Sequence, residues 1–68
     1  MISYNRLWKL LIDKKIKKME FKEMTGLGSS SISKLKEDKV VSMATIEKIC
    51  LALDCNIEDI VEIKKDEE

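Results

Sequence analysis

The sequence has no proline and no histidine, and it carries only two glycines, two cysteines and one each of Trp, Tyr and Phe in 68 residues. Without proline, and with both glycines confined to positions 26 and 28, the chain reads as continuous helices with one marked break. The missing histidine removes the commonest zinc ligand and general base, and the Cys50–Cys55 spacing fits no zinc pattern. Both cysteines are therefore expected to be packing thiols, with no metal and no cofactor. There is no glycine-rich phosphate loop and no cysteine paired with a base. Asp54, Glu58, Asp59 and Glu62 have no evident pocket to shift their ionisation, so an enzyme is not expected. No apolar run reaches the roughly 18 residues that span a membrane. Met1-Ile2-Ser3-Tyr4 has no charged leader followed by an apolar stretch, so a cytoplasmic protein is expected.

What is present is charge, at 38% of residues, summing to zero. The sum hides an asymmetry. Residues 1–39 hold ten Lys/Arg against five Asp/Glu, whereas residues 40–68 hold three against eight. The molecule thus has a basic end, which is what phosphates require, and an acidic end. At this length the chain is one domain, and it buries only about 60% of the surface exposed when unfolded. Stability must come from local helix propensity or from pairing with a second copy.

Apolar residues at Tyr4, Leu7, Trp8, Leu11 and Ile12 follow the i, i+3, i+4, i+7, i+8 spacing of one helix face. Ser3 is the expected N-cap, and the lysine-rich stretch through residue 18 ends this helix. Residues 19–25 read as a second helix with Phe21 and Met24 inward. Gly26 is placed to end it in the left-handed conformation. Leu27 plugs the corner, Gly28 or alternatively Ser29 caps, and residues 29–35 form a third helix with Ile32 and Leu35 inward. Lys36-Glu37-Asp38-Lys39 is a solvated loop, and Val40 and Val41 an extended stretch on the core. Ser42 caps a fourth helix whose inner face is Met43, Ile46, Ile49, Cys50 and Leu53. Asn56 caps a fifth, residues 57–61, with Ile57 and Ile60 inward; the alternation in Val61-Glu62-Ile63 fits a short strand instead. The expected fold is all-α, a compact five-helix domain over residues 1–63 followed by a charged, disordered tail, 64–68.

A short helix, a turn containing glycine and a second short helix make a helix-turn-helix, here from Lys18 to Leu35. Its Thr25-Gly26-Leu27 corner, Ser31-Ile32-Ser33-Lys34-Leu35 and the closing Leu51-Ala52-Leu53-Asp54-Cys55-Asn56-Ile57-Glu58-Asp59-Ile60 occur in an order that resembles the Cro/repressor-type (Xre-family) helix-turn-helix domain. The resemblance spans roughly residues 4–61. It implies a transcriptional regulator, of repressor type, whose third helix enters the major groove of a double-stranded DNA operator. On that helix Ser29, Ser30, Ser31, Ser33 and Lys34 would reach base edges. Lys17, Lys18, Lys36 and Lys39 would clamp phosphates, aided by free N–H groups at the start of the second helix. Two positions depart from the family. Lys18 replaces a glutamine that often contacts a phosphate, and Lys22 stands where a small residue usually lets the helices cross closely. The family also implies a homodimer; the expected patch combines Ile57, Ile60 and Val61 of the last helix with Ile63 or with Met1-Ile2, apolar residues that extend beyond one core. The alternative is a protein-interaction module on the same fold (an antirepressor, adaptor or antitoxin-like partner) using the acidic end, since a fold does not fix a function.

Overall fold

The computed structural model describes residues 1–65. Four α-helices form a mostly helical domain: α1 (Asn5–Asp13), α2 (Lys18–Thr25), α3 (Ser29–Lys36) and α4 (Met43–Leu53). Two short strands, β1 (Ile2–Ser3) and β2 (Glu62–Ile63), pair antiparallel with Ile2 opposite Ile63. The alternation at residues 61–63 thus becomes a strand. Its partner β1 had no legible signal, being two residues long. The pairing continues past the expected boundary: the Lys64 N–H donates to the Met1 carbonyl at 2.7 Å, and the Met1 ammonium donates back to the Lys64 carbonyl. The rest of the expected disordered tail, residues 66–68, lies outside the described residues.

The fifth helix is instead a single 3-10 turn, Ile57–Asp59. Asn56 is its N-cap as expected, with its N–H donating to the Asp59 carboxylate at 2.9 Å, but the turn ends after three residues as the Ile60 and Val61 N–H groups both close on the Ile57 carbonyl. Ile60 then falls wholly into the core.

That core is Tyr4, Leu7 and Leu11 from the α1 side, Phe21 and Leu27 at the corner, Leu35 from α3, Ile46, Ile49 and Leu53 from α4, and Ile60. Tyr4 is fully buried, and Trp8 is half-buried with its ring edge-on to Phe21. Four expected inward residues point outward: Ile12, Met24, Met43 and Ile57, and Val40 is exposed as well. Ile12, 74% exposed, is displaced by how α1 ends. Lys15 takes a left-handed conformation, its N–H bonds to the Ile12 carbonyl, and the Ile16 N–H bonds to the Leu11 carbonyl. This Schellman closure folds Ile16 onto the core in place of Ile12.

A left-handed residue follows every α-helix, although α2 lacks the Schellman bond, because the Leu27 N–H goes to the Thr25 hydroxyl. The left-handed residue is Lys15 after α1, Gly26 after α2, Asp38 after α3 and Asp54 after α4. Only one of the four is glycine. Asp38 does further work, because its carboxylate accepts the Tyr4 N–H at 3.0 Å while the Tyr4 hydroxyl donates to the Lys39 carbonyl at 2.7 Å. Two bonds from Tyr4, the N-cap residue of α1, therefore pin the far end of α3. Ser3 does not cap by itself; its hydroxyl accepts the Asn5 N–H at 3.3 Å from within β1. Ser42 does cap α4, accepting the Thr45 N–H.

Candidate nucleic-acid interface

The corner between α2 and α3 is built by Thr25, Gly26 and Leu27. Buried Thr25 donates its hydroxyl to the Phe21 carbonyl at 2.8 Å and accepts the Leu27 N–H at 3.4 Å. Gly26 has φ +70°, and its N–H closes on the Lys22 carbonyl. Leu27 is buried, as a plug between the helices should be. Gly28, extended, precedes the first residue of α3. The local chemistry therefore sets α3 at a fixed angle with one face on the core and the other in solvent.

The solvent face carries Ser29, Ser30, Ser33 and Lys34, all exposed. Ser31 is half-buried, because it lies one turn before Leu35 on the side that faces the core. It is the least available of the five residues expected to read bases. Lys17, Lys18 and Lys36 are exposed and enter no ion pair among the described residues. Lys39 differs. Its ammonium sits 2.9 Å from the Glu37 carboxylate, whose hydrogen bond and charge hold the lysine pKa above its ordinary value. An exposed pair of this kind is weak and exchangeable, yet it sets an anion beside the one lysine. At the start of α2, the Lys17 N–H already donates to the Glu20 carboxylate at 3.2 Å. One of the amide donors expected to face a phosphate is thus occupied.

A groove of about 460 Å³ with an apolar wall of Trp8, Leu11, Ile12 and Ile16 runs beside α2 and ends at Lys18 and Lys36. The same two lysines border a second groove, about 260 Å³, between α2 and α3. Lys22, Ser29 and Ser33 line it over an Ile32 floor, and no carboxylate does. Lys22 is the residue that sequence reasoning passed over as a contact. It stood out only as a departure from the family's small residue. Its stem does run along the surface, and its ammonium lies 3.3 Å from the Ser29 hydroxyl.

The segment after α4 carries Glu58, Asp59 and Glu62. Arg6 donates to the Glu58 carbonyl at 3.0 Å and approaches the Glu62 carboxylate at 4.0 Å. Asp59 is engaged by its own turn. Of the four residues expected at a dimer patch, Ile57 and Ile63 are 44% and 69% exposed and Val61 is half-buried. Ile60 is 0% exposed and offers a partner no surface, a correction to its expected place in that patch. Cys50 and Cys55 are free, half-buried thiols packed on the core. Among the described residues no helix is long and apolar enough to cross a membrane.

Three comparisons with known proteins agree with this geometry. Residues 6–66 match the Cro/C1-type HTH DNA-binding domain family. An uncharacterized HTH-type transcriptional regulator, YozG, of Bacillus subtilis (strain 168) is 34% identical over 61 residues, covering 87% of this chain and 73% of the relative. The crystal structure of the transcriptional regulator VanUg superposes with a TM-score of 0.86 at 44% identity, over 90% of this chain and 81% of that one.

Proposed function

The chain belongs to the Cro/C1-type HTH DNA-binding domain family, and on that footing we propose that it is a transcriptional repressor that lays α3 in the major groove of an operator. The observation that carries this reading is the free polar face of α3. Ser29, Ser30, Ser33 and Lys34 stand clear of the core, bordered by Lys18 and Lys36. Serine hydroxyls both donate and accept and so tolerate several bases, whereas Lys34 suits guanine O6 and N7. Phosphates fall to Lys17, Lys18 and Lys36, with Lys39 joining by giving up Glu37.

One domain this small contacts few bases, so tight binding calls for a homodimer with recognition helices about 34 Å apart. Ile57, Val61 and Ile63, beside the β1–β2 ribbon, are the apolar surface available for pairing. The acidic end supports the interaction-module alternative poorly, since Glu62, Asp59 and the Glu58 backbone are already engaged within the chain.

The test is a random-site selection with the purified chain at stated salt, followed by titration of alanine variants. The selected site is expected to be a palindrome with half-sites one helical turn apart. Lys34→Ala should relax one position, at about 1–3 kcal/mol. Lys18→Ala and Lys36→Ala should weaken all DNA alike and each lower the salt slope by about one. A chain that enriches no sequence, with variants that bind as the parent does, would falsify the reading.

A further inference from the structure

We propose that Lys22 is a DNA contact in its own right: it grips a backbone phosphate in the α2–α3 groove and fixes the hydroxyl of Ser29 for reading. This deepens the DNA-binding reading and rests on it. Lys22 lies one turn beyond Lys18 on the same face of α2, so both ammonium groups look into one groove, with Lys36 across from them. Three cations and two serine hydroxyls border that groove without a carboxylate. None of the three lysines enters an ion pair among the described residues. Cations that border one groove without a counter-charge repel one another, and an anion seated among them relieves the repulsion. A phosphodiester is the anion that fits. It brings one charge and two free oxygens to a solvent-open groove beside a helix end, in line with the positions proposed to flank the duplex.

The bond to Ser29 adds the second role. The Lys22 ammonium donates to Ser29 Oγ at 3.3 Å, so one lone pair of that oxygen is spent. Its own proton is then directed away from α2, toward whatever faces the first residue of α3. Ser29 is thereby biased from an indifferent hydroxyl into a donor, which favours a base acceptor at its position. The lysine that looks like a flaw in the helix crossing becomes a positioning residue for the recognition helix.

The experiment compares the full chain with Lys22→Met, which keeps the stem and loses the charge, Lys22→Arg, and Lys48→Met on α4 as a charge control outside the groove. Each is checked for folding by circular dichroism, then titrated against the selected duplex and a random duplex at several salt concentrations. A slope loss of about 0.9 per phosphate amounts to roughly eightfold weaker binding at 0.1 M salt. Lys22→Met should show that loss on both duplexes, and a relaxed preference at one base pair on the selected one. Lys22→Arg should restore the slope, and Lys48→Met should keep it. An unchanged slope in Lys22→Met, or an equal loss in Lys48→Met, overturns the proposal while leaving the DNA reading intact. A parent that binds neither duplex overturns the DNA reading itself. Inorganic phosphate, titrated into the parent without DNA, is expected to leave the Lys22 and Ser29 amide resonances in place at millimolar levels. Saturable shifts there, with duplex binding unaffected by Lys22→Met, would identify a free-anion site instead.

Discussion

Replacing Asp38 by glycine separates two effects that the helix endings otherwise combine. Asp38 sits at φ +56° after α3, and Lys15 at φ +59° after α1. A left-handed conformation costs an ordinary residue about 1–2 kcal/mol, and glycine escapes it. Against that gain, glycine loosens the unfolded chain by about 0.4–1 kcal/mol. Lys15→Gly, where the structure gives the side chain no hydrogen bond, should therefore stabilise by about 1 kcal/mol. Asp38→Gly gains less, because aspartate tolerates this conformation better than lysine. It also removes the carboxylate that accepts the Tyr4 N–H at 3.0 Å. A bond to a charged group is worth about 1.5–3 kcal/mol, toward the lower end at this exposed side chain. The net expectation is a loss of about 1 kcal/mol, so the two glycine variants differ by about 2 kcal/mol. For a domain of this size that is a melting-temperature gap of roughly 8–16 °C. Asp38→Asn, which keeps an acceptor and a tolerance for φ > 0, should lie between them. Thermal unfolding followed by circular dichroism at pH 7 measures all three. If Asp38→Gly stabilises as much as Lys15→Gly, the bond from the Tyr4 N–H to the Asp38 carboxylate contributes nothing and the reasoning is wrong.

Gly26→Val should cost more than about 1 kcal/mol through backbone strain alone, since nothing lies within 4 Å of a Cβ built there. Gly28→Ser, at an ordinary N-cap with φ −79°, should instead gain a few tenths of a kcal/mol, roughly; equal urea midpoints for the two variants would refute the distinction. Burial, followed by the neighbouring Cys50 thiol, pushes the Cys55 thiol from 9.0 up to about 11. The native state then holds its proton more tightly than the unfolded chain. This contribution to stability is complete below pH 9 and is lost as the pH rises toward about 11. Cys55→Ser should flatten the fall in unfolding free energy over that window, leaving the decline due to the Tyr4 phenol, raised by burial, and to Lys39, raised by its bond to Glu37. A variant that declines as steeply as the parent would show that Cys55 takes no part.

The helix order, the corner and the capping serine at position 42 were legible because each has a residue type matched to its geometry. Gly26 shows the limit of that legibility. Lys15, Asp38 and Asp54 adopt the same left-handed conformation, and nothing in a lysine or an aspartate announces it. The turn at Lys15 sets Ile16 on the core in place of Ile12, while the apolar spacing of α1 holds up to Leu11. The last segment misled for a related reason. Ile57, Ile60 and Val61 fit a helical stripe, but a three-residue turn rotates Ile60 inward and leaves Ile57 at the surface. β1 is too short to show a period. At the candidate site the exposure of Ser29, Ser30, Ser33 and the lysines follows from helix periodicity, as does the half-burial of Ser31, one turn before Leu35. The reach of Lys22 to Ser29 depends on a side-chain path that no spacing rule contains.

On the proposed reading the α2–α3 face, and not the acidic segment after α4, meets DNA. Amide chemical-shift mapping of the labelled chain with a selected duplex tests it most directly. The expected result is that shifts concentrate at residues 17–22 and 28–39, diminish as salt is raised, and spare residues 57–63 apart from changes due to dimerisation. Shifts centred on Glu58, Asp59 and Glu62, or none at any duplex concentration at low salt, would contradict it.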